Sequence, residues 1–319
     1  MKAVFLDTNT FSAQTDLSLP ASITDYIKHD NTPNDAKTII ERCQDADIVI
    51  TNKVEMSADV IARLPKLKLI HVTATGINNI DTKACQTHQV AWKNVAGYST
   101  VSVPEHTFML ILTIMRAGLF YHQKATDGTW QDDGRFCLID EPIFDLSGKT
   151  LGIIGAGNIG RSVGRIATAF GMNVLYAEHR NKQPRDDSRT DFYEVLANSD
   201  IISLHCPLTD DTTHLINDET IAAMGKKPII INVARGGVVD SQAIVTAINS
   251  GQILGYGSDV FESEPFDAKE PLLTLKNHPR VFFTPHNAWG SLHAQVRLWE
   301  ILCTQIDEFV KAYQPEQSS

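Results

Sequence analysis

Basic runs are missing from this chain of 319 residues. Lys and Arg number 28 against 38 Asp and Glu, for a net charge of −10. A nucleic-acid partner would need a concentrated basic surface, which this balance argues against, although local patches stay open. Long apolar runs are missing too: the longest, Phe108 to Met115, stops at Arg116, far short of a membrane span. Cysteine is sparse and scattered. Cys43, Cys85, Cys137, Cys206 and Cys303 have neither metal-site nor disulfide-framework spacing, and they read as reduced thiols in a reducing compartment. Met1-Lys2 leads straight into Ala-Val-Phe-Leu and Asp7, too short for a signal-peptide core. These absences predict a cytoplasmic protein with no membrane partner and no metal.

What is present is an ordinary globular composition, 43% apolar, at a length that suits two domains. Its most informative stretch is Leu151-Gly-Ile-Ile-Gly155-Ala-Gly157-Asn-Ile-Gly160. A short apolar strand runs into three glycines at G-x-G-x-x-G spacing, and a helical pattern follows at once. Gly155 permits a tight turn, Gly157 lets backbone approach a pyrophosphate, and Gly160 allows helix and strand to pack closely. Glu178 lies 18 residues past Gly160, at the end of the apolar run Met172-Asn-Val-Leu-Tyr-Ala, where a carboxylate can accept from a ribose hydroxyl. Strand, loop, helix, second strand and acidic end occur in the order that dinucleotide binding requires.

Apolar strands and helical stretches alternate throughout, which predicts α/β architecture with parallel sheets. In the first hundred residues the strands are Ala3–Leu6, Asp47–Thr51 and Leu67–Val72, with helices near Ala36–Cys43 and Ala58–Leu64. Ser102-Val-Pro-Glu105 reads as a capping box opening a helix that is apolar on every side. After the glycine loop, strands are expected at Ile201–His205, Ile229–Val233, Leu254–Asp259 and Val281–Thr284. Asp240 is expected to cap a helix that closes at Gly251. Gln183 to Asp191 reads as a solvated loop. Leu292 to Val310 reads as an amphipathic helix packing back on the first unit, and residues after Pro315 as disordered.

Ligands in an open parallel sheet bind outside the carboxyl ends of the strands, and three segments put chemistry there. In Ile231-Asn-Val-Ala-Arg235-Gly-Gly an arginine follows a buried strand; its planar guanidinium suits a carboxylate, although arginine also commonly caps strand ends. In Gly257-Ser-Asp259-Val-Phe-Glu262-Ser-Glu264-Pro265, Asp259 ends a strand and Glu264 follows in a loop where acids are often merely solvated. In Thr284-Pro-His286-Asn-Ala-Trp289 a histidine follows a strand. It is either a hydrogen-bonded bystander or, with a carboxylate nearby, a proton donor. His106 reads as a packing or capping residue.

In combination these segments resemble the D-isomer-specific 2-hydroxyacid dehydrogenases along essentially the whole chain. The resemblance is carried by Ala74-Thr-Gly-Ile-Asn-Asn-Ile-Asp81, Ser102-Val-Pro-Glu-His-Thr107, the glycine loop and His205-Cys-Pro-Leu-Thr-Asp-Asp-Thr212. It continues through Asn232-Val-Ala-Arg-Gly-Gly237, Asp259-Val-Phe-Glu-Ser-Glu-Pro265 and Pro285-His-Asn-Ala-Trp-Gly-Ser291. It implies two doubly wound parallel-sheet α/β domains. A Rossmann NAD-binding domain, 102-286, is inserted into a discontinuous flavodoxin-like substrate domain, 1-101 and 287-319. It further implies that His286 exchanges a proton with the carbonyl oxygen, that Glu264 pairs with His286 and raises its pKa, and that Arg235 binds the substrate carboxylate with help from backbone at Ala74, Thr75 and Gly76. Gly155, Gly157, Asn158, Ile159 and Gly160 would meet the pyrophosphate, and Glu178 the ribose. Pro207, Val233, Ala234 and Arg235 would line the cofactor, and Asp259 would hold its nicotinamide side. The implied assembly is a homodimer.

Within that family the Tyr98-Ser-Thr, Glu264-Pro and Asn-Ala-Trp-Gly-Ser segments look most like enzymes interconverting D-glycerate and hydroxypyruvate, with glyoxylate as a second substrate. Lactate-like or phosphorylated substrates stay open, and Trp289, Phe136 and Trp130 are candidates for the far end of the pocket. Family members most often carry aspartate where this chain has Glu178. A carboxylate there favours NAD by repelling a 2′-phosphate, while the adjacent Arg180 leaves NADP possible. A cofactor-sensing corepressor on the same fold would not need Arg235, Glu264 and His286 together, and a methyltransferase would give the arginine and histidine segments no role.

Overall fold

The computed structural model describes residues 1–313. The chain divides into two compact units, residues 1–99 with 290–319 and residues 100–289. The expected disorder after Pro315 lies outside the described residues.

The first unit runs β1 (Lys2–Phe5), β2 (Asp25–Lys28), α1 (Ala36–Cys43), β3 (Ile48–Thr51), α2 (Ala58–Ala62), β4 (Leu69–Val72), α3 (Thr82–Thr87) and β5 (Ala91–Asn94). Its sheet is wholly parallel in the order β2-β1-β3-β4-β5. That is the flavodoxin-like order. The three central strands are buried along nearly their whole length, as strands covered on both faces must be. Val4, Leu6, Val49 and Ile70 face a core closed by Ile39, Val60 and Ile61 of the helices. The last helix among the described residues, Leu292–Tyr313, also belongs to this unit. Its Trp299 stacks on Phe5 at 5.5 Å and donates from Nε1 to the Ser18 carbonyl at 2.7 Å.

The second unit opens on α4 (Ser102–Met115), α5 (Gly118–Thr126) and α6 (Thr129–Asp133). It continues through β6 (Thr150–Ile154), α7 (Asn158–Ala169), β7 (Asn173–Tyr176), α8 (Phe192–Asn198) and β8 (Ile201–Leu204). After these come α9 (Asp218–Ala222), β9 (Ile229–Asn232), α10 (Ser241–Ser250), β10 (Gly255–Ser258) and β11 (Val281–Phe283). The terminal helix of the first unit is therefore α11. The sheet order is β11-β10-β9-β8-β6-β7, all parallel. A single bridge between Ala177 and Thr190 extends it past β7. Counting that bridge as a reduced third strand, the order is the doubly wound 3-2-1-4-5-6 with one strand added. Two cores flank the sheet: Ile111, Ile114, Val163 and Ala167 pack on one face, Val195, Leu196, Ile244 and Ile248 on the other.

Two local expectations change. Ser102 lies inside α4 rather than capping it: Val101 is the cap, no side-chain cap forms, and the Ser102 hydroxyl donates to the Ala288 carbonyl at 2.5 Å. The helix is also not apolar-buried on every side, since Met109 is exposed. Asp240 does cap α10, accepting from the backbone N–H groups of Gln242 and Ala243, and Gly251 closes it in the left-handed region at φ 70°.

Two histidines with ring nitrogens shielded from solvent give the fold a pH dependence. His71 of β4 is fully buried, with Nε2 2.8 Å from Gln305 Oε1, and burial pushes it down to about 4. His205, just past β8, has an Nδ1 shut off from solvent, and burial pushes it down to about 3. The folded chain keeps both rings neutral, while the unfolded chain protonates them near the ordinary value of about 6.5. Their contribution is therefore complete above about pH 6.5 and declines as pH falls toward those folded values, by about 1.4 kcal/mol per pH unit for each ring. From pH 7.5 to pH 5 the expected loss is about 4 kcal/mol. Thermal melts at the two pH values check it; an unchanged Tm refutes it.

Candidate active site

The chemistry-bearing residues of the second unit sit past the carboxyl ends of its strands. The glycine loop follows β6. Gly155 has φ +99°, and a Cβ there would stand 2.5 Å from the Cys206 backbone nitrogen, so the turn requires glycine. A Cβ on Gly160 would run into the Gly155 carbonyl, which is how α7 comes so close to β6. At Gly157 nothing lies within 4 Å of where a Cβ would be, leaving an open approach to the first turn of α7. Asn158 and Ile159 form that turn, whose backbone N–H groups suit an anion. A cleft of about 800 Å³ runs from Gly155 and Gly157 past Glu178 to Pro207 and Thr209. It lies at the point where the strand order reverses between β6 and β8, and its open glycine cradle fits a dinucleotide pyrophosphate.

Glu178 is not the open carboxylate that the sequence suggests. Its side chain is 2% exposed and forms an ion pair with Arg185 at 2.5 Å; Arg185 beside it holds the carboxyl well below the usual range. Arg185 comes from the segment expected to be a featureless solvated loop. Arg180, which in the sequence left NADP possible, donates to both oxygens of Glu219 at 2.9 Å.

Past β9, β10 and β11 the other candidates form one connected chain. Asn232, fully buried at the end of β9, accepts from the Ala234 N–H and donates to the Arg235 carbonyl, both at 3.0 Å, which folds the strand end into a turn presenting Arg235. Arg235 Nη1 donates to the Ala234 carbonyl at 2.7 Å. Val233 beside it is half-buried. Gly236 then touches the Phe261–Glu262 backbone so closely that a Cβ would overlap the Phe261 carbonyl. The reason for this glycine is thus the meeting of two loops. Phe261 N donates to Glu264 Oε1 at 2.9 Å, and Glu264 Oε2 lies 2.5 Å from His286 Nδ1. Gly236→Ala is expected to cost at least about 3 kcal/mol, or to push the Arg235 turn away from the Glu264 loop. Urea unfolding together with kcat/KM checks this; native values for both refute it.

Asp259 is buried at the end of β10, and its carboxylate organises the histidine loop. Oδ1 accepts from the Thr284 hydroxyl at 2.6 Å and the Asn287 N–H at 2.9 Å, and Oδ2 from the Ala288 N–H at 2.9 Å. His286 N donates to the Asp259 carbonyl at 2.8 Å, with the histidine in the left-handed region at φ 51°. His106, read from sequence as packing, joins this cluster: Nε2 lies 2.9 Å from Thr284 Oγ1 and 3.5 Å from Asp259 Oδ1. Burial lowers its pKa, against the opposing pull of Asp259. A histidine four positions after a helix start carried no signal that it would reach a strand end. Of the candidates for the far end of the pocket, Phe136 is 96% exposed and Trp130 half-exposed.

In the first unit, Ala74, Thr75 and Gly76 follow β4. The Thr75 hydroxyl donates to the Val95 carbonyl at 3.0 Å, and Asn94 Nδ2 donates to the Thr75 carbonyl at 2.7 Å. These tethers hold the loop at the carboxyl end of its sheet.

The family model for the NAD binding domain of D-isomer specific 2-hydroxyacid dehydrogenases matches residues 108–288. Glycerate dehydrogenase of Methylorubrum extorquens is 37% identical, over 97% of this chain and 96% of that protein. Hydroxypyruvate reductase of Blautia hydrogenotrophica is 36% identical over 89% of each. The crystal structure of Aquifex aeolicus D-lactate dehydrogenase complexed with NAD and lactic acid superposes with a TM-score of 0.77 at 28% identity, covering 98% of this chain and 96% of that one. The chain belongs to the D-isomer specific 2-hydroxyacid dehydrogenases and is an NAD-linked 2-hydroxyacid oxidoreductase.

Proposed function

We propose that the chain reduces hydroxypyruvate to D-glycerate, and glyoxylate more slowly, with His286 as the acid/base, Glu264 as its partner and Arg235 as the carboxylate anchor. The observation carrying this reading is the His286–Glu264 contact of 2.5 Å, joined through Phe261 and Gly236 to the Arg235 turn. The dinucleotide supplies or takes up the hydride. With Nδ1–H donated to Glu264, Nε2 is the nitrogen that exchanges a proton with the substrate oxygen. Arg235 offers a planar fork to the substrate carboxylate and draws charge from the neighbouring carbonyl. Asp259 acts by fixing the loop that carries His286, beside which the nicotinamide end would lie. The names of the Methylorubrum and Blautia relatives support the three-carbon hydroxy acid as substrate.

Exposed apolar side chains from α5 up to β6, namely Leu119, Trp130, Phe136, Ile139 and Ile143, support a homodimer that covers them. All five cysteines are free thiols, which supports a cytoplasmic setting. Among the described residues no helix is long and apolar enough to cross a membrane.

The test is turnover of NADH with hydroxypyruvate, glyoxylate, pyruvate and phosphohydroxypyruvate. The highest kcat/KM is expected for hydroxypyruvate; a higher value for pyruvate or the phosphorylated acid refutes the assignment.

A further inference from the structure

The ribose end of the cleft carries a feature that the dinucleotide motif does not require. Both Glu178 oxygens are already taken. Oε1 accepts from the His179 N–H at 2.9 Å and from Arg185 Nη2 at 2.5 Å, and Oε2 accepts from the Arg185 N–H at 3.2 Å and from Arg185 Nε at 2.8 Å. The loop delivering Arg185 is held at both ends. Glu178 N donates to the Thr190 carbonyl at 2.8 Å, and Thr190 N to the Tyr176 carbonyl at 2.9 Å. This is the shortened crossover that ends at the Ala177–Thr190 bridge. Glu178 is buried beneath the guanidinium, while Arg185 keeps half its side chain exposed and lines the same cleft, with Lys182 and Arg189 close by.

A ribose diol needs a carboxylate that can accept its two hydroxyls. Here Glu178 becomes such an acceptor only when Arg185 lets go, which breaks a forked ion pair made of two charge-assisted hydrogen bonds. A 2′-phosphate needs the opposite. The carboxylate that would repel it is neutralised, and a guanidinium faces it with N–H groups directed away from Glu178. Arg180, tied to Glu219 and to the Tyr193 hydroxyl at 3.1 Å, is committed elsewhere.

We propose that Arg185 is the residue that sets cofactor choice in this chain, making the ribose pocket a 2′-phosphate site so that NADP(H) is accepted alongside NAD(H). The proposal rests on the reading of the cleft as the dinucleotide site. It turns the expected penalty of an acidic strand end into a contact that a phosphate can use.

The test is calorimetric binding of 2′,5′-ADP and of ADP-ribose to the full-length protein and to Arg185→Gln, at fixed ionic strength and without substrate. The wild type is expected to bind both. Arg185→Gln is expected to weaken 2′,5′-ADP about tenfold or more relative to ADP-ribose, since the charged fork is lost and Glu178 is released to the diol. A change of less than tenfold in that ratio, or a wild type that binds ADP-ribose but not 2′,5′-ADP, overturns the proposal. A wild type that binds neither overturns the dinucleotide reading as well. Glu178→Gln serves as a second variant. It should retain 2′,5′-ADP while losing ADP-ribose, and the reverse pattern counts against Arg185.

Discussion

Replacing His286 with glutamine is expected to lower kcat for hydroxypyruvate by about 10²–10⁴-fold while leaving the Kd for NADH within about threefold. Glutamine has a similar reach and can donate a hydrogen bond to a carbonyl oxygen, but it cannot release a proton to the oxygen as the hydride arrives. The loss therefore falls on the chemical step. His286 lies at φ 51°, a region where asparagine and histidine are more at home than most side chains, so His286→Asn is the companion variant. It keeps the backbone comfortable and removes the same chemistry. Both variants losing turnover, with the Asp259 cluster and cofactor binding intact, supports proton transfer. A glutamine variant retaining more than a tenth of wild-type kcat, or one that loses NADH affinity at unchanged kcat, refutes the assignment.

What could be read from the sequence followed from how local each cause is. The glycine loop was legible because a tight turn, an open approach and a close helix contact each constrain a single position. The central strands were legible as short continuous apolar runs. The edge strands β2 and β5 were not, because Asp25–Lys28 and Ala91–Asn94 are mostly exposed or half-exposed and carry no such run. The segments holding Arg235, Glu264 and His286 could be named from their places past strand ends and from the family resemblance. The contacts joining them could not. Gly236 is there for the Phe261 backbone, 25 residues further along the chain, and Asn232 turns the strand end through a side chain that the pattern read as one more strand residue. Arg185 was hidden for the same reason. In sequence it is one charge among several in a polar stretch, and only the shortened crossover brings it over Glu178.

Arg235 carries the other large effect. Arg235→Gln is expected to lower kcat/KM for hydroxypyruvate by about 10²–10³-fold, through both a higher KM and a lower kcat. A charged forked pair across a desolvated contact is worth about 2–5 kcal/mol when one partner is removed, and a neutral amide restores little of it. The Asn232 and Gly236 contacts hold the turn through backbone and small groups, so the substitution leaves the loop where it is. A substrate pair isolates the cause. Glycolaldehyde is hydroxypyruvate without its carboxylate, and the wild type should prefer the acid strongly. If Arg235 binds that carboxylate, the variant loses most of its activity on hydroxypyruvate and little on glycolaldehyde, so the preference collapses. Arg235→Lys, which keeps the charge but not the fork, should fall between the two. Equal losses on both substrates would mean that Arg235 supports the loop or the cofactor instead, and the carboxylate contact would have to be sought elsewhere.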